Sequence, residues 1–176
     1  MGDELRIGQK VIRLLNSDIT DTDIECFVYY ARSDLKLWAG FGGGIAVRGG
    51  PQIQKDLDAL APIGPCEAVI TDAGELKAKY IIHANGPKFQ EEDAENKLKA
   101  TILNSLKLAD EKGIKQVALP AMGTGFYGIP LDTSADVCLN TVKDYLQNDT
   151  GIEEIVFCAI DSREYIPFKT QLDKMG

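Results

Sequence analysis

Three stretches of this chain combine residue types that could hold an anionic small molecule. The first is Trp38-Ala39-Gly40-Phe41-Gly42-Gly43-Gly44-Ile45-Ala46, which follows an apolar strand and runs into a helix-forming segment. Three successive glycines can take positive φ and present bare N–H groups to an anion, and the following helix adds the positive end of its dipole. A flexible turn would use the same glycines. The second stretch is Pro120-Ala121-Met122-Gly123-Thr124-Gly125-Phe126-Tyr127-Gly128-Ile129-Pro130, between a buried strand and a helix. Gly123, Gly125 and Gly128 spell G-x-G-x-x-G, but the dinucleotide fingerprint belongs on a first βα turn with an acidic residue ending the next strand. Here the motif follows the fifth expected strand, and Asp149 falls in a polar loop. A phosphate-cradling loop with two aromatics remains, and Phe126 and Tyr127 either flank a sugar or pack into the core.

The third stretch is Asn16-Ser17-Asp18-Ile19-Thr20, closing the first long strand. Asp18 either caps a turn or accepts a hydrogen bond from the exocyclic amine of a base, with the Ile19 N–H donating to the adjacent ring nitrogen. Other chemistries lack their residues. The sequence contains no G-x-x-x-x-G-K-[ST], no H-E-x-x-H and no G-x-S-x-G. The single histidine, His83, sits inside an apolar strand and reads as structural. Cys26, Cys66, Cys138 and Cys158 have no C-x-x-C spacing, and three of them lie in apolar runs, so they read as core thiols of a reducing compartment. No metal site and no cofactor is implied.

Elements must position these loops. Apolar or β-branched runs at 10–15, 26–31, 68–71, 80–84, 116–119 and 155–159 read as strands. Amphipathic helices are expected over about 92–112, from Pro130 as first helical residue, and from near Tyr165. Strands alternating with helices imply a three-layer α/β/α sandwich around a mixed, largely parallel sheet, with ligands at the carboxyl ends of the strands. A length of 176 residues, 44% apolar and 26% charged, suits one domain over 1–176 that buries roughly 70% of its unfolded surface. The net charge of −8, without a basic stripe, disfavours nucleic acid as the partner. Backbone N–H groups can still hold phosphate. No apolar stretch suits a membrane span or a secretory leader, so a cytoplasmic location is expected.

Together these stretches resemble the macro domain, an ADP-ribose-binding α/β/α module, over nearly the whole chain. Asn16 to Thr20 is similar to the family's G-D-I-T, and Gly42 to Ala46 to its first phosphate loop. Leu76-Lys77-Ala78-Lys79-Tyr80-Ile81-Ile82-His83-Ala84 resembles L-x-A-K-Y-V-I-H-A, and Pro120 to Pro130 resembles P-A-I-S-T-G-I-Y-G-x-P. The resemblance implies that Asp18 and Ile19 recognise adenine, and that Gly42, Gly43, Gly44, Ile45 and Ala46 hold one side of a diphosphate. Gly123, Thr124, Gly125, Phe126 and Tyr127 would hold the other side and enclose the distal ribose, with Ile160 against the adenine face.

One stretch departs from the family. Where many members read V-N-A-A-N, this chain reads Val28-Tyr29-Tyr30-Ala31-Arg32, so Ala31 and Arg32 stand at the distal ribose, and the Asp of several hydrolytic members is Ala46. Arg32 could pair with a phosphate or carboxylate there. The expected partner is ADP-ribose or a related adenine diphosphate nucleotide, free or attached to a protein. The alternative is a hydrolase of ADP-ribose 1″-phosphate, O-acetyl-ADP-ribose or protein-linked ADP-ribosyl esters.

Overall fold

The computed structural model describes residues 3–37 and 40–176. Met1 and Gly2, and Trp38 and Ala39 at the head of the first glycine-rich stretch, lie outside them. Among the described residues seven strands form one sheet: β1 (Glu4–Ile7), β2 (Lys10–Asn16), β3 (Cys26–Tyr30), β4 (Ala68–Asp72), β5 (Tyr80–Ala84), β6 (Gln116–Leu119) and β7 (Glu154–Ala159). Their order across the sheet is β1-β2-β7-β6-β3-β5-β4. The inner five run parallel, and β1 and β4 pair antiparallel at the two edges.

Five helices cover the sheet: α1 (Gly40–Gly49), α2 (Gln52–Leu60), α3 (Ala94–Glu111), α4 (Leu131–Leu146) and α5 (Ser162–Met175). Side chains alternate across each strand, so β3 sends Cys26, Val28 and Tyr30 into one core and Phe27 and Tyr29 into the other. The first core is filled by α3, α4 and α5 through Leu98, Ile102, Leu139, Val142, Phe168 and Leu172. The second is closed by α1 and α2 through Ile45, Ile53 and Leu57. The α/β/α sandwich with a mixed, largely parallel sheet is therefore the architecture observed.

The six expected strands are present with ends shifted by at most a residue, while β1 and α2 were not expected. The segment Glu4-Leu5-Arg6-Ile7 is short and only half buried, and it becomes a strand because Gly8, at φ +62°, turns it onto β2. Pro130 lies just outside α4 rather than at its first position, with an extended ψ of 143°. Helix α5 begins three residues before Tyr165 because the Asp161 carboxylate caps it, accepting from the Glu164 N–H at 3.2 Å.

The histidine is structural in its packing. His83 is fully buried in β5, its Nε2 lies 3.0 Å from Thr71 Oγ1, and its ring meets Tyr29 edge-on at 6.0 Å. Nδ1 has no protein partner. Burial pulls the ring pKa down to about 3. The unfolded chain takes up a proton near the ordinary value of 6.5, so this group removes stability as pH falls from about 6.5 towards 3, by about 1.4 kcal/mol per pH unit. Urea midpoints taken between pH 7 and pH 5 should fall more steeply for the natural protein than for His83→Gln. Equal slopes would mean that His83 has a charged partner or water access in the fold.

Candidate functional site

Because β2, β3, β5, β6 and β7 are parallel, the segments that follow them all emerge at one edge of the sheet. Four of these segments hold the residues singled out by sequence. After β2, Asp18 caps a single 3-10 turn over Ile19–Asp21. Its Oδ1 accepts from the Thr20 N–H at 2.9 Å and from the Thr20 hydroxyl at 2.7 Å. Its Oδ2 faces the guanidinium of Arg48 at 3.3 Å. Burial raises the Asp18 pKa, but the Thr20 bonds and the Arg48 charge outweigh it and hold the carboxyl below the usual range. Asp18 is therefore a turn cap whose second oxygen stays partly open to solvent, and its two sequence readings are compatible. Ile19 is buried as a whole residue.

The first glycine run is a helix rather than a loop, since Gly42 to Ala46 lie within α1. None of Gly42, Gly43 and Gly44 has positive φ; among the described residues of this stretch only Gly40 does, at φ +51°. The three glycines answer to different demands. A Cβ on Gly42 would collide with the Tyr29 hydroxyl, and one on Gly44 would lie 3.0 Å from Arg48 Nη2. Among the described residues, a Cβ on Gly43 would meet nothing within 4 Å. Ile45 is buried and anchors the helix, and Ala46 is half buried.

The left-handed glycines lie in the second loop instead. Gly123, Gly125 and Gly128 have φ of +78°, +67° and +81°, values that side-chain-bearing residues rarely adopt. Thr124 turns its hydroxyl back to the Ala121 carbonyl at 2.9 Å, and Gly125–Tyr127 form a 3-10 turn. The two aromatics separate here. Phe126 is 89% exposed, whereas Tyr127 packs on Tyr30 with ring centroids 4.8 Å apart. Tyr30 in turn donates from its hydroxyl to the Pro87 carbonyl. A Cβ on Gly125 would meet open space, the counterpart of Gly43 in the other element.

At the end of β3, Ala31 is buried and donates its N–H to the Ala84 carbonyl at 2.8 Å. Arg32 pairs with Asp34 through two bonds, Nε to Oδ1 at 3.1 Å and Nη2 to Oδ2 at 2.8 Å. The charges of Arg32 and Asp34 act on the phenols of both Tyr29 and Tyr127, although burial is the larger cause that raises those two pKa values, that of Tyr29 to about 12. After β7, Ile160 is 60% exposed and its N–H donates to Glu164 Oε1 at 3.0 Å. Glu25 is at the opposite end of the sheet, where it accepts from the Lys115 and Gln116 N–H groups.

Sequence reasoning missed Arg48 and Asp34. Arg48 lies four residues after Gly44, hence on the same helix face, and it is the cation that joins α1 to Asp18. Asp34 gave no signal beyond following an unusual arginine by two. A hollow of about 590 Å³ lined by Gln52, Asp56, Asp72, Lys77 and Tyr80 lies between α2 and the β4 edge, away from every one of these residues. No helix among the described residues is long and apolar enough to cross a membrane.

Comparison with known proteins agrees with this fold. The macro domain family model matches residues 31–138. A macro domain-containing protein of Caldanaerobacter subterraneus subsp. tengcongensis is 39% identical over 162 residues, 88% of this chain and 91% of that protein. One from Listeria monocytogenes serovar 1/2a is 39% identical over 158 residues, 85% of this chain and 90% of that one. The chain belongs to the macro domain family. Among solved structures, a mutant macrodomain of Oceanobacillus iheyensis with ADPR superposes with TM-score 0.92 at 25% identity, covering 98% of this chain and 97% of that one. The same organism's macrodomain with ADP gives TM-score 0.93 at 23% identity, covering 98% and 95%.

Proposed function

We propose that the chain, acting as one macro domain, binds ADP-ribose or a protein-linked ADP-ribosyl group in the cleft at the carboxyl ends of its strands. Asp18 and the Ile19 N–H read adenine, Ile160 covers the base, the N-terminal turns of α1 take one side of the diphosphate, and Gly123 to Tyr127 take the other. The observation that carries this reading is that two of the segments leaving the carboxyl ends of the parallel strands each hold a glycine whose Cβ would meet no described atom, Gly43 in the first turns of a helix and Gly125 in a left-handed turn. Backbone N–H groups at such positions can approach phosphate without a cationic side chain. That suits a chain of net charge −8. The ADPR and ADP of the similar macrodomains support the ligand class.

Binding rather than hydrolysis is the reading favoured. An arginine side chain does not serve as a general base, and Ala46 has nothing with which to orient a water. Calorimetry should find ADP-ribose bound at least about ten-fold more tightly than AMP, since 1.4 kcal/mol separates the two for each tenfold and AMP reaches only part of the diphosphate cradle. Equal affinities would remove the diphosphate argument. A product assay on ADP-ribosyl esters and the 1″-phosphate should show little turnover; robust turnover that stops on Gly43→Val would make the cleft catalytic.

A further inference from the structure

We infer that Arg48 widens the base end of the cleft to 6-oxopurines: its guanidinium sets a hydrogen-bond donor beside the Asp18 acceptor, so that the chain takes hypoxanthine nucleotides as well as adenine ones. The inference rests on the nucleotide reading above, which puts the base at Asp18.

The two groups come from different elements. Arg48 lies in the last turn of α1 and Asp18 at the turn after β2, and both terminal nitrogens of the guanidinium stand 3.3 Å from Asp18 Oδ2. Charge-assisted bonds of full strength are about 2.7–2.9 Å long, and the Arg32–Asp34 pair reaches 2.8 Å. The contact at Asp18 is longer and engages one oxygen end-on, so the guanidinium can keep it while turning a further N–H to a neighbouring acceptor. Ligand access is open on both sides, since the Arg48 side chain is 48% exposed and that of Asp18 41%.

The helix gives up a side chain to make room for this guanidinium. A Cβ on Gly44, one turn before Arg48, would lie 3.0 Å from Nη2, so the glycine clears the surface over which Arg48 reaches Asp18. Both ends of the contact are held in place. The Asp18 carbonyl accepts from the Asp21 N–H at 3.0 Å and from the Thr22 hydroxyl at 2.6 Å, and Lys77 Nζ donates to the Asp21 carbonyl at 3.0 Å. Beside Arg48, the Gly49 carbonyl accepts from the Glu75 N–H at 3.0 Å and ties down the end of the helix.

What the pair can read follows from the order of donors and acceptors. Adenine presents its N6 amine as a donor, whereas a 6-oxopurine presents O6 as an acceptor. In the pose proposed for adenine, O6 would face the Asp18 carboxylate, acceptor against acceptor. Arg48 removes that conflict. O6 accepts from the guanidinium, and the adjacent N1–H donates to Asp18 Oδ2, which is ionised through the neutral range because its carboxyl is held below the usual pKa. A cationic donor 3.3 Å from an anionic acceptor thus complements the neighbouring acceptor and donor of that base edge.

The test is calorimetry with ADP and with IDP, two nucleoside diphosphates that differ only in the base. It is run on the natural protein and on Arg48→Met, Arg48→Lys and Gly44→Ala, with melting temperatures taken alongside. The natural protein should bind IDP within about five-fold of ADP. Arg48→Met keeps the length of the side chain without its donors and should lower the IDP-to-ADP affinity ratio about ten-fold, the effect of one unmet hydrogen-bonding group in a partly buried site. Arg48→Lys should recover part of that ratio. Gly44→Ala leaves Arg48 in the chain but crowds its guanidinium, and should lower the ratio in the same direction; an effect of the methyl on the diphosphate would strike both ligands alike and drop out of the ratio. A natural protein that holds ADP more than about 100-fold tighter than IDP overturns the inference and spares the nucleotide reading. So does a ratio that Arg48→Met leaves unchanged. A natural protein that takes up neither nucleotide overturns both.

Discussion

Gly123→Val should lower the melting temperature by roughly 6–12 °C, the shift that about 3 kcal/mol produces in a domain of this size. Two costs combine. A β-branched residue at φ +78° is strained by on the order of 1–3 kcal/mol. Its side chain would also run into Ile129 Cδ1 and lie 3.2 Å from the Tyr30 hydroxyl, overpacking a site that a single methylene already fills. Gly125→Ala gives the contrast. It shares the left-handed backbone, at φ +67°, but its Cβ would meet nothing, so only about 1–2 kcal/mol of strain is expected. Gly43→Val has neither cost, because the residue is helical and open. Its melting temperature should hold while ADP-ribose affinity drops at least about ten-fold. Thermal melts and calorimetry on all three decide the matter. A Gly43→Val protein that melts early, or binds as before, would return that glycine to a structural role.

Asp18 is expected to show the largest single effect on affinity without a glycine change. Asp18→Ala should weaken ADP-ribose by about 1–3 kcal/mol, the cost of leaving a base amine unpaired in a partly buried site. It also strips the cap from the Ile19–Asp21 turn, which costs stability on the order of 1 kcal/mol. Asp18→Asn separates the two. Its amide oxygen can still accept from the Thr20 N–H as Oδ1 does at 2.9 Å, while its NH2 faces both Arg48 and the base amine as a donor against donors. Stability should be kept and affinity lost. Unchanged affinity in a folded Asp18→Asn protein would leave Asp18 as a turn cap alone.

How much of this was legible beforehand depends on which physics decided each element. The inner strands announced themselves because both faces are buried, giving short apolar runs such as Gln116 to Leu119. Strand β1 did not, since its pairing with β2 rather than its own composition makes it a strand. Positive φ was expected of the glycines at 42 to 44, which are helical, and is found instead at 123, 125 and 128. At 42 and 44 the need is close approach to Tyr29 and Arg48, a tertiary fact that leaves the same letters in the sequence. Asp18 was visible through its motif, whereas Arg48 and Asp34 became candidates only through their partners in the fold, Asp18 and Arg32.

The order of the sheet has a consequence for how the cleft comes into being. Strand β7 lies between β2 and β6, yet residues 154–159 follow almost every other element in sequence. Until they emerge during synthesis, β2 has only β1 beside it, and Asp18 has no fixed relation to the loop at Gly123. The turn at Asp18 and the loop at Gly123 are thus both made before β7 and joined only after it. A nascent chain shorter than about 160 residues can assemble β6, β3, β5 and β4 but leaves β6 an open, unpaired edge, the kind of surface on which incomplete sheets associate.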